Sequence, residues 1–111
     1  MKLLDTKTVI INLLEKDKKT YLSVKRLQKL LMFIYNELSK QDALGDYEIV
    51  FDISFDSIER TVLCNSRIFD LDLDGDLIYL RERNISSLVQ MYELDEDIKK
   101  IIDKFIQESA A

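Results

Sequence analysis

The chain predicts a single α+β domain over residues 1–111. The expected element order is α-α-β-α-β-β-α-α, with a three-stranded antiparallel sheet, its hairpin at Asp74-Gly75, packed on helices. Three observations predict this. Apolar residues recur every three or four positions in two segments near the start and two near the end, which is helical spacing. In the middle they alternate with polar residues, the period of a strand. And 111 residues, 47% of them hydrophobic, suffice for one modest core but not for two.

Thr6 to Glu15 carries Val9, Ile10, Leu13 and Leu14 on one stripe, with Asp5 or Thr6 as N-cap. Polar Lys16 to Thr20 reads as a loop. Ser23 caps a second helix whose core positions are Val24, Leu27, Leu30, Leu31, Ile34 and Leu38. Met32, Phe33 and Tyr35 widen that stripe past half the circumference, as in a central helix packed on several sides. Gln41 to Asp46, with Gly45, ends it.

Tyr47, Ile49, Phe51 and Ile53 alternate with Glu48, Asp52 and Ser54 and predict a strand. Asp56-Ser57-Ile58-Glu59 has the form of a capping box opening a short helix through Ile58, Val62 and Leu63, with Asn65 as a left-handed cap. Arg67 to Arg83 reads as a hairpin around a type I′ turn at Asp74-Gly75. In that register Phe69, Leu71, Leu73, Ile78 and Leu80 share one face; Asp70 and Asp72 lie opposite Tyr79 and Leu77 on the other. Arg81 and Arg83 would relieve the crowded aspartates from the facing strand. Asn84 caps a helix with Ile85, Leu88, Val89 and Tyr92. Asp95 caps the last, whose Ile98, Ile101, Ile102, Phe105 and Ile106 form an amphipathic stripe.

Missing residue types narrow the chemistry. There is no His, so imidazole catalysis and nearly all transition-metal sites are excluded. The single cysteine, Cys64, allows neither an internal disulfide nor a thiolate zinc cluster; beside Val62 and Leu63 it reads as a packed thiol. Two glycines, Gly45 and Gly75, cannot make a Gly-rich phosphate loop. Asp70 to Asp76 matches the first, third, fifth and sixth positions of an EF-hand loop, but the twelfth is Arg81 where bidentate coordination needs Glu. Asp52, Asp70 and Asp72 could serve a metal-dependent nuclease, yet no Glu-x-Lys follows at a suitable spacing. The expectation is a protein without enzymatic activity, metal or cofactor. No apolar run approaches the ~20 residues that span a bilayer, and no leader-like stretch opens the chain, so the expected compartment is the cytoplasm.

The net charge of −5 divides unevenly. Residues 1–40 carry +5 and residues 41–111 carry −10. Two candidate partner-binding surfaces follow: a basic one of Lys18, Lys19, Lys25, Arg26 and Lys29, and an acidic hairpin of Asp70, Asp72, Asp74 and Asp76. A short helix followed by a hairpin can also form the core of a winged helix, with Arg60 on the helix and the hairpin as wing. Phosphates would be repelled by that acidic tip.

Arg26-Leu27-Gln28-Lys29-Leu30-Leu31-Met32-Phe33, after a first helix and a short polar loop, resembles the signature helix of the Panacea-domain, SocA-like antitoxin family. The resemblance covers residues 6–35. Family members usually also carry a Gly-Pro-Val segment, and this chain has no proline. The resemblance implies a small phage- or mobile-element-associated protein that neutralises a partner protein, a toxin or effector. The wide apolar face of residues 24–38 leaves both a monomer, with the last helix covering that face, and a homodimer as expectations. Two alternatives stand beside it. One is a DNA-binding regulator whose helix-turn-helix is made by the first two helices. The other is an acidic inhibitor that mimics nucleic acid to a host defence protein.

Overall fold

The computed structural model describes residues 2–72, 74, 76–81 and 84–109. It is one small α+β domain with five helices and two sheets. The elements are β1 (Lys2–Asp5), α1 (Thr6–Asp17), β2 (Tyr21–Ser23), α2 (Val24–Lys40), β3 (Tyr47–Val50), α3 (Phe55–Cys64), β4 (Phe69–Leu71), β5 (Leu77–Leu80), α4 (Ile85–Met91) and α5 (Glu96–Ser109). A single 3-10 turn, Leu44–Asp46, precedes β3.

The three-stranded antiparallel sheet has the order β2-β5-β4. Its hairpin pairs Phe69 with Leu80, Asp70 with Tyr79 and Leu71 with Ile78, the register expected from the alternation. Gly75 and Leu73, on which the turn type rests, lie outside the described residues. The third strand differs from expectation. It is Tyr21–Ser23, which pairs with Leu77–Tyr79, rather than the segment after Tyr47. β3 instead runs parallel to β1, with Leu4 opposite Ile49. Parallel pairing requires a long connection, and α1 and α2 supply it.

The core lies between these sheets and the helices. Leu4 from β1, Leu22 from β2, Phe69 from β4 and Ile78 from β5 face Val9, Ile10, Leu13 and Leu14 of α1 and the stripe of α2, all buried. α5 covers α2 through Ile98, Ile101, Ile102 and Phe105, with the Phe33 and Phe105 rings edge to face at 5.5 Å. Met32 and Tyr35 depart from the expected stripe: each is about half exposed. Asn12 is buried, and its amide donates to Thr8 O (2.8 Å) and to Tyr92 O (2.9 Å), tying α1 to the end of α4.

Caps explain most boundaries. Asp5, Ser23, Asn84 and Asp95 accept from backbone N–H groups three residues on. For α3 the N-cap is Ser54, whose Oγ accepts from Ser57 N, so the helix starts two residues earlier than a capping box on Asp56 would set it. Asn65 ends it at φ −117°, not in the left-handed region.

α1 and α2 end alike. Lys18 N–H donates to Glu15 O and Lys19 N–H to Leu14 O, and the pattern repeats with Asp42 and Ala43 onto Ser39 and Leu38. Both are Schellman motifs, and their left-handed residues are Lys18 (φ 55°) and Asp42 (φ 53°) rather than glycine. Lys18→Gly is therefore expected to stabilise the fold by about 0.5–1 kcal/mol, since only the strain of a Cβ in that region is removed. A higher urea midpoint with unchanged slope is the expected reading.

Candidate functional site

The hairpin, the first half of α2 and the start of α3 meet at one end of the molecule. Val24 N–H donates to Asp76 O (2.9 Å), which joins the hairpin to the first turn of α2. One turn later Gln28 Nε2 donates to Ile53 O (2.6 Å), bringing the segment that leads into α3 against the same helix. Around these two contacts lie the exposed side chains Lys25, Lys29, Asp56, Glu59, Arg60, Asp74 and Asp76. Apolar groups interrupt them: Met32 is 49% exposed, Ile53 40% and Phe55 44%.

On the sheet, Asp70, Tyr79 and Tyr21 form one outward row across the three strands. The two tyrosine rings are 6.3 Å apart. Asp72 Oδ1 accepts from Asp76 N (2.8 Å) and Leu77 N (3.2 Å), so this carboxylate closes the hairpin rather than facing outward freely. Asp70, Asp74 and Asp76 are exposed. Arg81 stands two residues past the Asp70–Tyr79 pair, away from the turn, and its Nη1 donates to Ser66 O (3.0 Å). Arg83 lies outside the described residues.

The basic candidates do not form one patch. Arg26 is committed internally: it pairs with Asp17 (3.2 Å), donates to Ser109 Oγ (3.2 Å) and lies 5.3 Å from the centre of the Phe105 ring. Lys18 and Lys19 sit where α1 turns into β2, with the Lys19 ammonium 5.8 Å from the Tyr21 ring centre. Lys25 and Lys29 instead flank the hairpin contact on α2. Thus two of the five basic candidates share a face with the acidic hairpin. α1 and α2 themselves are separated by β2, which is hydrogen-bonded into the sheet.

A second groove, about 440 Å³, lies between the start of α1 and α3. There Asp52 N donates to Thr6 Oγ1 (2.7 Å), and Thr61 Oγ1 donates to the Asp52 carboxylate. These polar groups satisfy one another. Cys64 lies on its lining and is exposed, contrary to the expected packed thiol. Among the described residues no three His, Cys, Asp or Glu side chains are placed to hold a metal ion, so Asp52, Asp70 and Asp72 do not converge. No described helix is long and apolar enough to cross a membrane.

Two charge clusters away from this face hold the fold together, and neither is visible from the sequence pattern. Glu37 is only 6% exposed and accepts from Lys104 of α5 (3.2 Å), with Lys40 at 3.6 Å. The Lys104 hydrogen bond, outweighing burial, holds its carboxyl below the usual range. A charged residue at the 34-to-38 edge of an apolar stripe was the available signal; its partner 67 positions away was not.

Asp95 accepts from Tyr47 Oη (2.5 Å), Lys2 Nζ (2.9 Å) and Ile98 N (3.0 Å). Burial alone would raise the Asp95 carboxyl, but these three donors together bring it below its ordinary value. Burial, then the Asp95 carboxylate, pushes the Tyr47 phenol up. Both carboxyls are depressed in the folded state, so they contribute stability above their unfolded values. That contribution is lost as pH falls through the folded ones. The urea midpoint is expected to hold near neutrality and to decline below about pH 4. Glu37→Gln should flatten that acid limb.

Comparison with protein-family models, with curated proteins and with solved structures returns no match to this chain.

Proposed function

We propose that this protein acts by binding another protein and covering its surface, the role implied by the antitoxin-family resemblance. Its contact face would be the hairpin with the first turns of α2 and α3, and its partner surface would be basic. The observation that carries this reading is the mixture on that face. Exposed Met32, Ile53 and Phe55 lie beside Asp56, Glu59, Asp74 and Asp76. Exposed apolar groups and carboxylates on one face suit a protein interface, where aromatic anchors supply affinity and charges set encounter and orientation.

A second reading has one observation in its favour. From α1 to β5 the elements run helix, strand, helix, strand, helix, strand, strand, and β2 lies beside β5; with β3 set aside, because it pairs with β1 in the other sheet, that is the order of a winged helix. Read so, α3 would enter a DNA groove and the hairpin would be the wing. The charges there oppose it, because Asp56 and Glu59 outnumber Arg60 on α3 and, among the described residues, the charged groups from Asp70 to Asp76 are all carboxylates. The same order with acidic groups in the groove-reading positions suits a partner that itself carries basic, nucleic-acid-like binding chemistry.

The test is capture of the tagged full chain from its native cells after nuclease treatment, with mass spectrometry of what co-elutes. A stoichiometric basic protein released by salt is the expected result. Capture of nucleic acid alone, together with a DNA mobility shift at low salt, would replace this reading with the second.

A further inference from the structure

The molecule has a cationic cleft at the other end of the sheet, independent of the face just described. It lies where α1 turns into β2, beside the end of β5 and the start of α4, and has a volume of about 540 Å³. Its floor is apolar: Leu14 is buried, and Leu80 and Ile85 are half-buried. Its rim carries Lys18, Lys19 and Arg81, all exposed, against one carboxylate among the described lining residues, Glu15.

The backbone under these cations is held in place. Lys18 and Lys19 are fixed by the Schellman hydrogen bonds onto Glu15 and Leu14. Thr20 O accepts from Leu80 N (2.7 Å), and Arg81 N donates to Ile68 O (2.7 Å). The Arg81 guanidinium is oriented by its bond to Ser66 O. Three positive groups thus stand around an apolar floor on backbone already hydrogen-bonded in place at Lys18, Lys19 and Arg81, which lowers the entropic cost of recognition.

We infer that this cleft binds an acidic peptide segment of a partner protein, seating an aliphatic or aromatic side chain on Leu14, Leu80 and Ile85 while its carboxylates meet Lys18, Lys19 and Arg81. Charge complementarity selects that occupant in a chain whose net charge is −5. Nucleic acid fits less well. A phosphodiester strand has no aliphatic side chain to seat on the floor of Leu14, Leu80 and Ile85.

Selection of a displayed dodecapeptide library on the full chain tests this. A class of peptides combining several Asp or Glu with one Leu, Ile or Phe is expected. A synthetic member should lose at least tenfold in affinity on the Lys18→Glu/Lys19→Glu variant, and on Lys19→Gln/Arg81→Gln, with unchanged circular dichroism and melting. It should bind an Asp70→Lys/Asp74→Lys/Asp76→Lys variant at least as tightly as the parent, which separates this cleft from the acidic face. Recovery of no acidic class, retention of that class by both cleft variants, or displacement of the peptide by a labelled oligonucleotide would overturn the inference.

Discussion

Phe69→Ala is expected to destabilise the domain by about 3–5 kcal/mol, a large part of the 5–15 kcal/mol that holds a domain of this size together. Phe69 is fully buried on the inner face of β4, opposite Leu80, at the point where the hairpin packs on α3 and the helical core. β4 is an edge strand of three residues, so it has little ladder to fall back on once its one fully buried side chain is gone. Truncation leaves a cavity that neighbouring aliphatic residues fill only partly. Because β4 also carries the hairpin, loss of this anchor should loosen the candidate interface along with the core. Guanidinium unfolding should show a lower midpoint with little change in slope.

The second large effect concerns binding. Asp70→Lys/Asp74→Lys/Asp76→Lys should reduce affinity for the captured partner about 100-fold, or ~2.8 kcal/mol at about 1.4 kcal/mol per tenfold, mostly through slower association at low salt. These three carboxylates are exposed, so their reversal changes the potential at the hairpin without disturbing the core. Asp72 is left out because its carboxylate accepts from Asp76 N and Leu77 N and closes the turn. Asp72→Asn retains an acceptor there and should bind within a few-fold of the parent. Equal loss in Asp72→Asn and in the triple variant would mean that hairpin shape, not charge, governs recognition.

Much of this architecture is legible in the residue pattern, for identifiable reasons. α2 and α5 are long enough for helical spacing to declare itself, and Ile98, Ile101, Ile102 and Phe105 are buried as that spacing requires. The hairpin register follows from alternation around its turn, because a slip of one residue would have turned Phe69 and Ile78 outward. Short strands are another matter. Tyr21–Ser23 has three residues and Lys2–Asp5 four, too few for any period, and strand partners distant in sequence leave no local trace. The ends of α1 and α2 were obscured because lysine and aspartate occupy positions where glycine usually signals the stop.

The candidate site divides the same way. Carboxylates at Asp70, Asp74 and Asp76 are evident from composition, since charged groups on a hairpin tip are normally solvated. Ile53 and Phe55 are not, because their chemistry is that of core residues and only the fold leaves them exposed. Arg26 reverses the error: it reads as a surface cation but is bound to Asp17 and Ser109 and lies over Phe105. The net charge of a segment therefore overstated the basic surface. Lys25 and Lys29, which stand beside the acidic hairpin, temper that surface rather than oppose it from elsewhere.

Hydrogen exchange on the complex with the captured protein tests the central claim most directly, because it reports where the partner sits rather than whether one exists. The account predicts new protection over residues 24–32, 53–60 and 70–78, with the amides of 18–20 and 85–91 exchanging as in the free chain. Protection confined to β1, α4 or α5, or a footprint over 24–32 and 53–60 produced by a DNA duplex in place of the protein, would contradict it.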